Sequence, residues 1–189
     1  MGKQTEPGKV RIIAGKWRGR RLALANADIR PTPDRLRETL FNWLSSSVRD
    51  AKVLDLFAGS GALGLEAASR GAASVLLVER NRSTTAHLQA LIAELAAASV
   101  AAIAADARQF IAQSATEVYD IVFLDPPFAD GDLGELCQRL ETSGWLAADA
   151  HIYLEMAATT PFPNLPAKWT LLKQQQAGPI CYALAQREP

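Results

Sequence analysis

Asp125, Pro126, Pro127 and Phe128 follow one another at the end of an apolar run, and together they could hold a planar amine. A carboxylate and a peptide carbonyl stiffened by a neighbouring proline are two acceptors; a flat exocyclic NH₂ has two donors, and an aromatic ring can stack on the base that carries it. Ile121, Val122, Phe123 and Leu124 are continuously apolar, which predicts a parallel strand covered on both faces. Pro126 has no N–H to donate and pushes Asp125 out of the αR region, so the strand must end there. The carboxyl ends of strands in open parallel sheets are where ligands and reacting groups gather. A blander reading is a stiff turn whose Asp caps the next helix.

A second constellation lies upstream, where Val53 to Gly64 reads as a short apolar strand running into Gly59-x-Gly61-x-x-Gly64 and a helical run from Leu65 to Arg70. Strand, glycine turn and helix are the parts of a nucleotide-binding βαβ unit. The turn, which also holds Phe57, Ala58 and Ser60, brings backbone N–H groups close to a ligand. A further strand, Ser74 to Val78, ends at Glu79, where a carboxylate can meet ribose hydroxyls. The glycine pattern alone fits a dinucleotide as well as S-adenosylmethionine. Asp55 favours the latter, because a carboxylate just ahead of the loop would repel a pyrophosphate but attract the ammonium of a methionine moiety. Its alternative role is to organise the loop as a hydrogen-bond acceptor. Val100 to Ala105 predicts a third strand, followed by Asp106 and Ala107, whose side chain and backbone could read an adenine edge.

Val53 to Gly64, Glu79, Asp106 and Asp125 to Phe128 resemble the successive motifs of class I S-adenosylmethionine-dependent methyltransferases. The Asp-Pro-Pro-Phe form is similar to the tetrapeptide of enzymes that methylate exocyclic amines of nucleobases. Arg11 to Gly15, Arg18-Gly19-Arg20 and Ile29 to Leu44 resemble the bacterial small-subunit ribosomal RNA guanine-N2 methyltransferase family, and the likeness runs from about Val10 to Phe128. The resemblance implies S-adenosylmethionine as cofactor and guanine 966 of 16S rRNA as target, presented on an assembling small ribosomal subunit. It also implies a doubly wound α/β fold, a mostly parallel seven-stranded Rossmann-like sheet with an antiparallel C-terminal edge. Ala14, where relatives often have glycine, and Leu91 to Ala96, which lacks an Asn-Leu pair, are departures that touch packing more than chemistry.

The elements that must position these groups are legible in outline. At 189 residues, the chain suits one α/β domain, residues 31–189, with a basic N-terminal hairpin extension over 1–30. Net charge is zero, yet up to Arg37 there are ten Lys or Arg against three Asp or Glu, a surplus of seven that the remainder balances. Lys9, Arg11, Lys16, Arg18, Arg20 and Arg21 alternate with Val10, Ile12, Ile13, Trp17 and Leu22, which predicts a basic hairpin with Trp17 exposed. Such a hairpin suits RNA phosphates and unstacked bases, with Lys16, Arg18, Arg20 and Arg21 as the contacts; a charged edge that discourages aggregation is the plainer alternative. Thr32 is the expected N-cap of the next helix and Pro33 its first residue, with Leu36, Leu40, Phe41, Trp43 and Leu44 as the buried stripe. Arg30 and Arg35 flank that helix start and are candidates for the nucleotide or its phosphates.

Asn81 to Ala97, Arg108 to Gln113 and Asp132 to Glu141 predict helices; Ile152 to Met156, Trp169 to Gln174 and Ile180 to Ala185 predict strands, the last two an antiparallel edge. Pro161, Pro163 and Pro166 mark a loop beside the substrate face. Cys137 and Cys181 are isolated and expected as buried free thiols, and with His87 and His151 apart no metal site is expected. No apolar run approaches the roughly twenty residues that cross a bilayer and no signal-peptide pattern is present, so a cytosolic protein without membrane partners is expected; a monomer is the default expectation, which the residues themselves do not decide. Two rival functions fit the same residues: adenine-N6 methylation of DNA, and an RNA-binding module that has lost activity.

Overall fold

A computed structural model describes residues 8–25, 32–127 and 132–189. Phe128 and Arg30 lie outside the described residues. Seven strands form one sheet: β3 (Lys52–Asp55), β4 (Ser74–Glu79), β5 (Val100–Ala104), β6 (Tyr119–Leu124), β7 (Leu146–Ala157), β8 (Trp169–Ala177) and β9 (Ile180–Arg187). Their order across the sheet is β5-β4-β3-β6-β7-β9-β8. The first five are parallel, whereas β9 runs antiparallel between β7 and β8 and makes the edge that the sequence predicts.

The order reverses between β3 and β6, the first strand of the sheet and the one added after β5. Crossover helices leave on opposite faces at such a point, so a crevice opens above the carboxyl ends of these two strands. Asp55 ends β3 and Asp125 follows β6, and the two motifs are thereby brought to one place. Strand β7 begins earlier than the apolar pattern suggests: Leu146 already pairs with Tyr119, and a register shift between Tyr119 and Ile121 precedes the regular pairing from His151 onward. The helices α2 (Ala62–Ser69), α3 (Arg82–Glu94), α4 (Ala107–Ile111) and α5 (Leu133–Thr142) connect the strands. Asn81, Asp106 and Asp132 cap the last three with their side chains; Asn81 and Asp132 begin their expected spans, and Asp106 lies two residues ahead of its own. Among the described residues no helix is long and apolar enough to cross a membrane.

The N-terminal segment forms a two-stranded antiparallel hairpin, β1 (Lys9–Arg11) with β2 (Arg21–Ala23), followed by α1 (Asp34–Trp43). Leu36, Leu40 and Phe41 of α1 are buried, and Phe41 meets Phe123 of β6 edge-on at 6.0 Å between ring centroids. Trp43 stacks on Tyr182 at 5.4 Å, so it packs as core. Two expectations fail here. Trp17 is buried rather than exposed, its backbone held to α2 and its ring in the main apolar cluster. Thr32 does not cap α1: Pro33 occupies the cap position and no side chain bonds the helix start. Cys137 is buried as expected, but Cys181 is only half-buried.

The hairpin is fastened by α2. Glu66, fully buried, accepts the Ile13 and Ala14 amides at 2.8 and 3.0 Å and pairs with Arg37 and Arg70. Ser69 adds three bonds: its Oγ accepts from Trp17 N at 3.0 Å and donates to the Ala14 carbonyl at 2.6 Å, and its carbonyl accepts from Lys16 N at 2.7 Å. Gly15 is required between them, because its φ is +80° and a Cβ there would sit 1.8 Å from the Ser69 carbonyl oxygen. Arg37, counted with the basic segment, has no exposed surface at all and bonds the carbonyls of Thr32 and Arg11 as well as Asp34.

Candidate active site

A cleft of about 1030 Å³ opens above the carboxyl ends of β3, β4 and β6. That is the upper end of small-molecule pockets, room for a nucleoside-sized cofactor together with a base. Of the cofactor candidates, Asp55, Phe57, Ala58, Gly59, Ser60, Glu79, Asp106 and Ala107 all line it. Gly61 and Gly64 do not; they shape it. Gly61 adopts φ +74° at the start of α2, and a Cβ on Gly64 would come within 2.2 Å of Leu77, so α2 can lie close on β4 only with glycine there.

The acidic groups serve both the loop and the cavity. Asp55 is buried and its Oδ2 accepts the Gly64 amide at 3.1 Å. Burial pushes its pKa up to about 7, against the opposing pull of the Gly64 and Phe57 amides. No cation pairs with it among the described residues. A carboxylate in that state fits a positively charged ammonium, which would restore its ionised form. Glu79 ties the glycine loop to the end of its own strand, with one oxygen accepting from Gly59 N at 3.0 Å and the other from Asn81 N at 2.8 Å. Asp106 places Oδ1 on Gln109 N at 3.0 Å as the α4 cap, which leaves its second oxygen for the cavity.

Across the cleft stand Asp125, Pro126 and Pro127. Thr32 Oγ1 lies 3.5 Å from Asp125 Oδ2 as a donor, so the residue expected to cap α1 instead attends the carboxylate of β6. Burial raises the pKa of Asp125 well above its usual range, and the charges of Glu155 and Asp55 add to the shift. Glu155 escaped the sequence reading. It sits on β7 where the register Phe123↔Tyr153 and Leu124↔Leu154 makes it the next neighbour of Asp125, and it lines the same cleft. The signal was available: a carboxylate at the carboxyl end of an apolar strand is the property that singled out Asp125. Burial raises Glu155 as well, while the Tyr153 hydroxyl, donating to Oε2 at 2.6 Å, opposes the rise.

The basic candidates stand apart from this chemistry. Lys16, Arg18, Arg20, Arg21 and Arg35 are all exposed. The hairpin runs along α3: the Ala23 carbonyl is 2.7 Å from His87 Nε2, and Arg20 reaches Glu94 at 4.0 Å near the helix end. Lys16 lies over the Trp17 ring at 5.5 Å.

The family described as "Conserved hypothetical protein 95" matches residues 10–186 of this chain. Ribosomal RNA small subunit methyltransferase D of Escherichia coli K12 is 47% identical over 182 residues, covering 96% of this chain and 91% of that protein. The Haemophilus influenzae protein of the same name is 41% identical over 187 residues, covering 95% and 94%. A solved structure of the Escherichia coli protein yhhF superposes with a TM-score of 0.90 at 46% identity, covering 96% of this chain and 99% of that one. With a family model matching residues 10–186 and relatives at 47% and 41% identity over nearly its whole length, this chain belongs to the conserved hypothetical protein 95 family, the family of the small-subunit ribosomal RNA methyltransferases D.

Proposed function

We propose that this chain methylates the exocyclic N2 amine of one guanine in 16S ribosomal RNA, guanine 966 by the family resemblance, with an assembling small ribosomal subunit as the partner that presents it. The observation that carries this reading is the placement of Asp125 and Pro126 across one cleft from Asp55 and Glu79, an amine-holding group facing a cofactor-holding one. The names of the relatives at 47% and 41% identity support ribosomal RNA over DNA as the polymer.

The residues present fit S-adenosylmethionine, which when bound supplies a methyl group on an electrophilic sulfonium. Asp55 would hold its ammonium, Glu79 its ribose hydroxyls, and Asp106 with the Ala107 backbone its adenine edge. Phe57, Ala58, Gly59 and Ser60 form the wall between them. Guanine N2 is a poor nucleophile because its lone pair is delocalised into the ring. Hydrogen bonds from its two N–H groups to the Asp125 carboxylate and the Pro126 carbonyl turn that lone pair out of conjugation and stabilise positive charge as it grows on nitrogen. Thr32 keeps the Asp125 carboxylate oriented. The base must leave its stack to reach this depth, and Phe128, by its place in the motif, would stack on it. Lys16, Arg18, Arg20, Arg21, Arg30 and Arg35 form the proposed phosphate contacts.

Mass mapping of 16S rRNA nucleosides from cells with and without the gene tests this reading. Loss of N2-methylguanine at one position is expected; an unchanged map sinks it. Calorimetry should give stoichiometric binding of S-adenosylmethionine or its demethylated product and negligible affinity for NAD.

A further inference from the structure

A second, smaller cavity of about 110 Å³ adjoins the cleft on the side away from the glycine loop. Pro126, Pro127 and Glu155 border both spaces, and the smaller one is lined as well by Met156, Pro161 and Pro163 and by Asp132 and Leu133 at the start of α5. Four proline rings and a thioether make flat, apolar surfaces suited to a planar ring, with a single carboxylate at the seam. Glu155 has 4% of its surface exposed. Its Oε2 takes the Tyr153 hydroxyl at 2.6 Å, and nothing among the described residues bonds Oε1. No sealed side-chain oxygen or nitrogen there lacks a partner, so Oε1 faces the open space of the cavities.

The neighbour of the amine distinguishes the bases. Adenine and cytosine each carry their exocyclic amine beside a ring nitrogen that is an acceptor; guanine alone has a ring N–H next to its amine. Strand register sets Glu155 beside Asp125. An acceptor therefore stands beside the group to which the base amine is assigned, within reach of a ring nitrogen next to that amine. We propose that Glu155 is the specificity-determining residue, its Oε1 accepting the N1–H of the target guanine while Asp125 and the Pro126 carbonyl hold the adjacent amine. Adenine or cytosine placed the same way would aim a lone pair at the carboxylate and leave Glu155 buried without a donor. Burial raises both carboxyls, and the Tyr153 hydroxyl, donating to Glu155, opposes the rise there and favours the form that accepts a proton donor. The inference rests on the assignment of a base amine to Asp125.

The test is a cycle between protein and base. RNA oligomers carry at the target position either guanine or 2-aminopurine, which keeps the 2-amine but has a lone pair at N1. Methyl transfer is measured as kcat/KM, and affinity is measured with S-adenosylhomocysteine present, for wild type, Glu155→Gln and Tyr153→Phe. Wild type should prefer guanine by roughly a hundredfold. Glu155→Gln, whose amide can donate to N1, should narrow that preference about tenfold or more in both readouts, and Tyr153→Phe, which frees Glu155 to turn, by less. Equal use of the two bases by wild type overturns the inference, as does a preference that neither variant changes. If wild type instead methylates the amine of another base, nucleoside analysis shows it and the guanine reading falls as well; methylation of guanine N2 with an unchanged preference sinks the Glu155 assignment alone.

Discussion

Asp55 and Asp125 line one cavity, and both are pushed toward the protonated form by burial. For Asp55 the consequence is a pH-dependent cofactor affinity. Below about pH 7 the carboxyl is protonated, an incoming ammonium must displace that proton, and affinity should fall as the pH drops; calorimetry from pH 8 to 6 checks it. The empty protein should show the reverse sign in stability. A carboxyl whose folded pKa lies above its unfolded value of 3.8 binds more protons when folded, so its contribution is present below that value and is lost as pH rises toward about 7. Urea unfolding midpoints of wild type should decline through this window more than those of Asp55→Asn. Asp125→Ala should lower turnover about a hundredfold or more while leaving cofactor affinity nearly unchanged. Glu79→Ala should do the opposite, weakening the cofactor first.

Element by element, the parallel strands were legible because their apolar runs are continuous and end on a carboxylate or proline, as Val53 to Asp55 and Tyr119 to Asp125 do. Thr32 and Glu155 were not. Thr32 carries the sequence signature of a helix cap, and only the packing of α1 on β6 turns its hydroxyl to Asp125. Glu155 meets Asp125 through a strand register set thirty residues away in sequence. Trp17 was misplaced, and the burial of Arg37 went unforeseen, for one physical reason: α2 offers the buried acceptors Glu66 and Ser69, which nothing local to residues 9–37 announces. Their weight can be measured. Removing one member of a buried ion pair leaves its partner uncompensated, so Glu66→Ala should cost about 3–5 kcal/mol of stability by chemical denaturation. Loss below about 1 kcal/mol would mean that the hairpin hardly depends on it.

For the whole molecule, the question is how far RNA must reach. From the His87 contact to the Arg20 contact the hairpin follows α3 for some 7 residues, roughly 10 Å at helical rise, and its basic turn lies at the far end of α2 from the cleft. If Lys16, Arg18, Arg20 and Arg21 hold phosphates as proposed, those phosphates would belong to nucleotides several steps removed from the target base. Replacing Arg18 and Arg20 with Ala should weaken binding of long rRNA fragments and flatten the slope of log affinity against log salt by roughly one to two units. Trinucleotides centred on the target should bind both proteins alike. Parallel salt slopes on long RNA would leave the hairpin a charged edge and move docking to Arg35 and its neighbours.

The fastening of the hairpin by α2 also has a signature in hydrogen exchange. The amides of Ile13, Ala14, Lys16 and Trp17 donate not to a partner strand but to Glu66 and Ser69. Exposed hairpin turns ordinarily exchange within seconds of local fraying, whereas these four protons are released only when the turn lifts from the helix as a unit. They should exchange at one common rate in the wild type, and in Glu66→Ala that rate should rise for all four together, although only two of them bond the side chain removed.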